Sequence, residues 1–177
     1  MDSRQVSHKR TQDMREFCHA ATSSGYRAVV FNKRGHGQSK LTTPRLQAFG
    51  CTSDMKAVLA HVQSTFPGVP VVGTTCPFNF NDDEAASRVG VGYSAGAGLL
   101  SSYLGEMGQH SKLAAGVLVS PAVYVKLHAF ESLAEYWKAS DPLRDVHKIA
   151  VPTLFLSAKD DPVCPTRTFA AMREMTT

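Results

Sequence analysis

The chain has 177 residues, 43% of them hydrophobic and 19% charged, the balance of one soluble globular domain with a real core rather than of a disordered or fibrous chain. Its net charge of +4 is scattered apart from the short run His8-Lys9-Arg10, which reads as a solvated polar terminus in preference to a nucleic-acid or lipid contact. The four cysteines, Cys18, Cys51, Cys76 and Cys164, form no Cys-x-x-Cys pair and no partnership with histidine, so zinc and disulfide frameworks are excluded and each cysteine is expected to be a small buried thiol in a reducing compartment.

From the amino end, Met1 to Gln5 lacks the apolar core of a signal peptide, and no apolar run in the chain approaches the roughly 20 residues of a membrane span. As written, the chain is expected to be cytoplasmic. Gln12 to Ser24 carries Met14, Phe17, Cys18 and Ala21 at helical spacing and stops at Gly25, a residue that ends helices by taking the left-handed conformation. Tyr26 to Phe31 is a short aromatic and β-branched run closed by Asn32-Lys33-Arg34-Gly35-His36-Gly37, so it predicts a strand and a turn. A second helix runs from Ser53 through Met55, Val58, Leu59 and Val62, with Ser53 or Thr52 as its cap, and stops before Pro67-Gly68. Val69 to Val72 predicts the next strand.

Beyond it come a helix from Gly96 to Met107, a strand from Ala114 to Val119, a helix from Ala129 to Lys138 and a strand from Val151 to Leu156. Pro165 then opens a terminal helix. Strands that are apolar throughout and alternate with helices predict an α/β fold, a mostly parallel sheet of about four strands with helices on both faces.

The chemistry concentrates where one strand meets its helix. Gly92-Tyr93-Ser94-Ala95-Gly96 fits the Gly-x-Ser-x-Gly nucleophile elbow, which needs small residues, Gly92 and Gly96, around a serine held on a strained strand-to-helix turn. A serine at a helix N-terminus lies beside free backbone N–H groups, and that of Ala95 is the expected oxyanion donor. After the last strand, Ser157 to Pro165 holds Asp160 and Asp161 where the acid belongs in the chain order Ser, Asp, His. Asp161 is the favoured acid, because Asp-Pro-x-x-Pro fixes its side chain in a rigid turn and leaves Asp160 to solvent. The competing reading of this segment is a polar turn with Asx hydrogen bonds only.

Longer signatures carry a family resemblance. Gly25-Tyr26-Arg27 to Gly35, Thr43-Pro44-Arg45-Leu46, Asp54, Gly92 to Gly96, Tyr103-Leu104-Gly105, Glu135-Tyr136-Trp137, Ser140 to Val146 and Lys148 to Pro152 together resemble the α/β-hydrolase-domain proteins of the fourth AB hydrolase family. That group contains membrane-anchored esterases, acylglycerol lipases and phospholipases. The resemblance implies Ser94 as nucleophile, Asp161 as acid, a lipid or small ester as substrate, no cofactor or metal, and association with a membrane surface.

The departures from the family pattern are as specific as the matches. The membrane anchor, early strands and His-Gly loop of relatives have no counterpart, and that loop supplies a second oxyanion donor, each such donor being worth about 3 kcal/mol of barrier. Residues 74–90 read as an atypical inserted loop that breaks the strand before Gly92. The long helical cap that walls the acyl pocket is reduced to a few residues after Pro121. No histidine follows Asp161, and His8, His19, His36, His61, His110, His128 and His147 all stand where the fold would not deliver a base.

The chain therefore reads as a single incomplete α/β-hydrolase domain over residues 1–177. Two functions of different class stand: a carboxylic-ester hydrolase of lipid esters, impaired in this form, and a catalytically inactive form with at most a binding role. The inactive reading carries its own expectation of an exposed apolar surface.

Overall fold

A computed structural model describes residues 3–36, 40–44, 50–67, 88–121 and 141–161, with side chains described from residue 12 onward. Its elements in chain order are α1 (Ser3–Ser23), α2 (Ser53–Thr65), β1 (Val89–Tyr93), α3 (Ala95–Met107), a 3-10 turn (Gly108–His110), β2 (Ala115–Val119), a second 3-10 turn (Val146–Lys148) and β3 (Thr153–Leu156). The α/β reading holds. The described sheet has three strands in the order β1-β2-β3. Both pairings are parallel, and Tyr93, Val119 and Leu156 lie in register as the last residues of their strands.

α1 ends as its sequence predicts. The Gly25 amide donates to the Thr22 carbonyl and the Tyr26 amide reaches back to Ala21, with Gly25 at φ +84°. This is a Schellman cap, and glycine is the residue that takes that φ without a side-chain clash. The helix starts at Ser3 rather than Gln12. Its added turns are polar apart from Val6, so no apolar period marks them in the sequence.

α2 begins at Ser53 as expected, but neither serine nor threonine caps it through a side chain. The Thr52 hydroxyl donates instead to the Glu106 carboxylate of α3, which also accepts from Lys56 at 2.7 Å. A tertiary partner has outcompeted the local cap. Lys112 reaches back to Gln63 at 2.8 Å, so α2 is tied to the α3 region at both of its ends.

α3 is the centre of the core. Residues from Ala97 through Gly105 are buried without interruption, as expected of a helix that packs on a sheet and is covered by other elements as well. Ala97, Leu100, Tyr103 and Leu104 join Leu113 and Leu118 in one cluster, and each fully buried leucine contributes roughly 1.5–3 kcal/mol. Glycines set how closely the helix approaches. A Cβ on Gly92 would lie 2.6 Å from Ala97 Cα, and one on Gly105 would lie 2.5 Å from the Asp145 carbonyl oxygen.

Three expectations change. Tyr26–Phe31 pairs with no strand among the described residues, and Val29 and Val30 are exposed; β-branched residues alone do not make a strand without a ladder to join. Val89 and Gly90, counted within the inserted loop, belong to β1 and pair with Ala115 and Gly116. Cys18 and Cys51 are half-buried rather than buried, and neither forms a disulfide among the described residues. The expected strand at 69–72, the helices at 129–138 and after Pro165, most of the 74–90 segment, Cys76, Cys164 and His128 lie outside the described residues.

Candidate active site

The carboxyl edge of the sheet is built by register. Because Tyr93, Val119 and Leu156 are aligned, the residues that follow them, Ser94, Ser120 and Ser157, form one row across the strand ends. Hydrogen bonds tie the row together: the Ser94 amide donates to Val119 O at 2.9 Å, and the Ser120 amide donates to Leu156 O at 2.7 Å. Open α/β sheets place their sites at this edge.

Ser94 sits at φ 50°, ψ −115°, as the N-cap of α3. Such a conformation in a non-glycine residue costs on the order of 1–3 kcal/mol and persists only where its surroundings enforce it. Here its amide is held by Val119, and its carbonyl accepts the Gly98 amide at 3.1 Å. Its side chain makes no capping bond to the helix, so Oγ is not committed to backbone N–H groups as an ordinary serine cap would be. The residue is half-buried. The next residue, Ala95, is the first of α3, and its N–H is one of the helix's orphan donors.

The two elbow glycines are not equivalent. Gly92 is required by backbone contact with Gly96 and Ala97, whereas a Cβ on Gly96 meets nothing within 4 Å among the described residues. The motif shows both; only the packing separates them.

Asp161 lies beyond β3 on the same edge. Its amide donates to the Ala158 carbonyl at 3.3 Å, a turn that folds the chain back over the strand end. Asp161 is half-buried and Asp160 exposed. β2 stands between the strands that carry Ser94 and Asp161, so the two strands are separated by two inter-strand spacings, roughly 10 Å. Ser157, at the start of the acid loop, has a buried hydroxyl with no hydrogen-bond partner among the described residues.

His19, His36, His61, His110 and His147 are all exposed. His36 Nδ1 lies 3.3 Å from the Arg34 carbonyl oxygen, and His61 Nε2 lies 3.5 Å from Thr65 Oγ1. Among the described residues no group of three or more His, Cys, Asp or Glu side chains is arranged to hold a metal ion, and no helix is long and apolar enough to cross a membrane.

One aromatic contact supports the elbow from behind. Phe17 of α1 meets Tyr93 edge to face, with ring centroids 6.3 Å apart. Burial, with Asp13 and Cys18 nearby, pushes the Tyr93 hydroxyl above its ordinary pKa, so this side chain stays a neutral wall. Sequence reasoning missed Ser120, which has φ 45°; a serine followed by proline after an apolar strand is the only signal it leaves.

The fold is shared with a solved puromycin hydrolase, which superposes with a TM-score of 0.50 at 22% identity over 73% of this chain and 20% of that one. Among sequence relatives, human Protein ABHD15 is 27% identical over 87% of this chain and 41% of its own length. The chain is similar to α/β-hydrolase-domain proteins. Mouse phospholipase ABHD3 is 35% identical over 58% of the chain and 21% of its own length. Human monoacylglycerol lipase ABHD2 is 26% identical over 89% of the chain and 50% of its own length. The chain thus spans half or less of these hydrolase-domain relatives. No family model matches it.

Proposed function

We propose that this chain carries the nucleophile and the acid of a serine hydrolase acting on lipid esters, with Ser94 as nucleophile, Asp161 as acid and the Ala95 N–H as one oxyanion donor. The observation that carries this reading is the conformation of Ser94: a strained serine, fixed by Val119 and Gly98, with its hydroxyl released from helix capping. Backbone strain on a serine at the strand-to-helix turn of the carboxyl edge, where a nucleophile elbow stands, supports a reacting group. The lipid-ester class is supported by relatives named as a phospholipase and a monoacylglycerol lipase. Carboxylic esters of glycerol or of a phospholipid are the substrates, and a membrane or lipid surface is where they are met. No cofactor is needed, since the nucleophile, acid and oxyanion donor are all protein groups.

The same reading requires a base for Ser94. A serine hydroxyl is weakly nucleophilic without a base, and losing one member of a triad removes most of the rate. None of the seven histidines in the sequence follows Asp161. The test compares this polypeptide with any longer product of the same gene on a monoacylglycerol and a phospholipid. The account expects hydrolysis that is lost in S94A and reduced in D161N. Hydrolysis that survives S94A would overturn it.

A further inference from the structure

The elbow is gripped from both faces of the sheet. Successive residues of a strand point to opposite faces, and Gly92 meets α3 backbone to backbone, since a Cβ there would lie 2.6 Å from Ala97 N and Cα. Tyr93 therefore faces away from α3, and on that side its ring meets the Phe17 ring of α1 at 6.3 Å with 76° between the planes. This is the edge-to-face arrangement in which the positive edge of one ring points at the negative face of the other. Burial, then Asp13 and Cys18 of α1, push the Tyr93 hydroxyl above its ordinary pKa. Asp13 and Phe17 are one helical turn apart, and Ala21, one turn further on, is 1% exposed, so a single face of α1 is seated here. Tyr93 itself is 39% exposed; the sheet alone does not enclose its ring, and Phe17 takes a place that water would otherwise fill.

We propose that Phe17 is a positioning residue for the nucleophile, its ring closing the second side of a clamp on the elbow whose first side is Gly92 against Ala97. The inference rests on Ser94 as nucleophile. Phe17 touches no reacting atom and acts through Tyr93, the last residue of β1, which stands in register with Val119. The following amide, that of Ser94, donates to Val119 O at 2.9 Å, and this bond helps to hold Ser94 at φ 50° and ψ −115°. The bond is lost when the end of β1 twists about its own axis, a motion that sweeps the Tyr93 ring across the sheet face. Phe17 stands in the way of that sweep. A backbone conformation this unfavourable persists only while its surroundings enforce it, so loosening the ring frees the serine to relax. Such a loss misplaces the nucleophile and lowers the rate of the chemical step while leaving substrate binding in place.

The experiment measures amide hydrogen exchange by NMR in the isotope-labelled protein under native conditions. It is read at Ser94 and, as internal reference, at Ser120, whose amide is held to Leu156 O at 2.7 Å by the same kind of bond. Expected for F17A is exchange at Ser94 about tenfold faster relative to Ser120, restored in F17Y, which keeps the ring edge. Should F17A fail to fold, F17L, which keeps apolar volume and loses the ring, carries the same comparison. Equal acceleration at both amides makes Phe17 a stabilising residue only and overturns the proposal, as does no change at either. In an ester-hydrolysing product of this gene F17A is expected to lower kcat about tenfold with KM unchanged; an unchanged kcat overturns the positioning role. Hydrolysis that survives S94A, with exchange at Ser94 still selectively faster in F17A, overturns the reading of the nucleophile and leaves the clamp.

Discussion

A Cβ added to Gly92 would stand 2.6 Å from both Cα and N of Ala97, so the strand and helix of the elbow touch backbone to backbone. Neither can retreat without moving Ser94 between them. G92A is therefore expected to destabilise the chain by about 3 kcal/mol or more, at the upper end of overpacking costs. G96A meets open space and replaces a helical glycine by the best helix former, so it is expected to stabilise by up to about 1 kcal/mol. Urea denaturation of the two variants measures the contrast; equal effects would contradict it.

Gly105 offers a second packing test. Its absent side chain leaves room for the Asp145 carbonyl oxygen 2.5 Å from the position of a Cβ, which is too near for any methyl group. G105A is expected to cost about 1–3 kcal/mol, seen as a lowered urea midpoint with little change in slope. A neutral result would show that the loop at Asp145 does not rest on α3.

These contrasts mark what the sequence conveys and what it does not. Gly25, the elbow, β2 and β3 are legible because local chemistry and apolar runs determine them. The Ser3–Thr11 part of α1 is silent because Val6 is its one apolar residue and a single residue sets no period. Thr52 misleads, since a good cap residue is captured by Glu106 of another helix. Tyr26–Phe31 has strand composition, but pairing decides strands. At the site, Ser94 and its loop are readable from spacing, whereas the difference between Gly92 and Gly96 and the turn at Ser120 exist only once β1, β2 and α3 are packed.

Acid should weaken the fold at two carboxylates. Burial pushes Glu106 up, but the hydrogen bonds from Lys56 and Thr52 and the charges of Lys56 and Arg144 outweigh it and hold the group below its ordinary 4.5. A hydrogen bond from Lys148 holds Asp145 below its ordinary 3.8 against burial, helped by the hydrogen bond from Arg144 and both positive charges. The unfolded chain therefore takes up protons first as pH falls. Stability from these groups is fully present above the ordinary values and is lost as pH drops below 4.5 and 3.8 through the lower folded values. Tm is expected to decline in that window, and E106Q and D145N to lower Tm near neutrality and flatten the decline. An acid slope unchanged in both variants would contradict this assignment.

Apolar surface is exposed on β3. Leu154 is 49% and Leu156 45% accessible, and their register with Val117 and Val119 puts these four side chains on one face of the sheet. A contiguous apolar face of this kind binds hydrophobic dyes. The double variant L154S and L156S is expected to lower dye fluorescence while changing stability little at such exposed positions. Undiminished fluorescence would place the binding surface elsewhere.

The central claim is that Ser94 is the nucleophile, and a fluorophosphonate with peptide mapping tests it most directly. In any product of this gene that hydrolyses esters, the account predicts one phosphonate on the peptide containing Gly92 to Gly96, lost in S94A and retained in S120G. A phosphonate on another residue, or labelling undiminished in S94A, would contradict it.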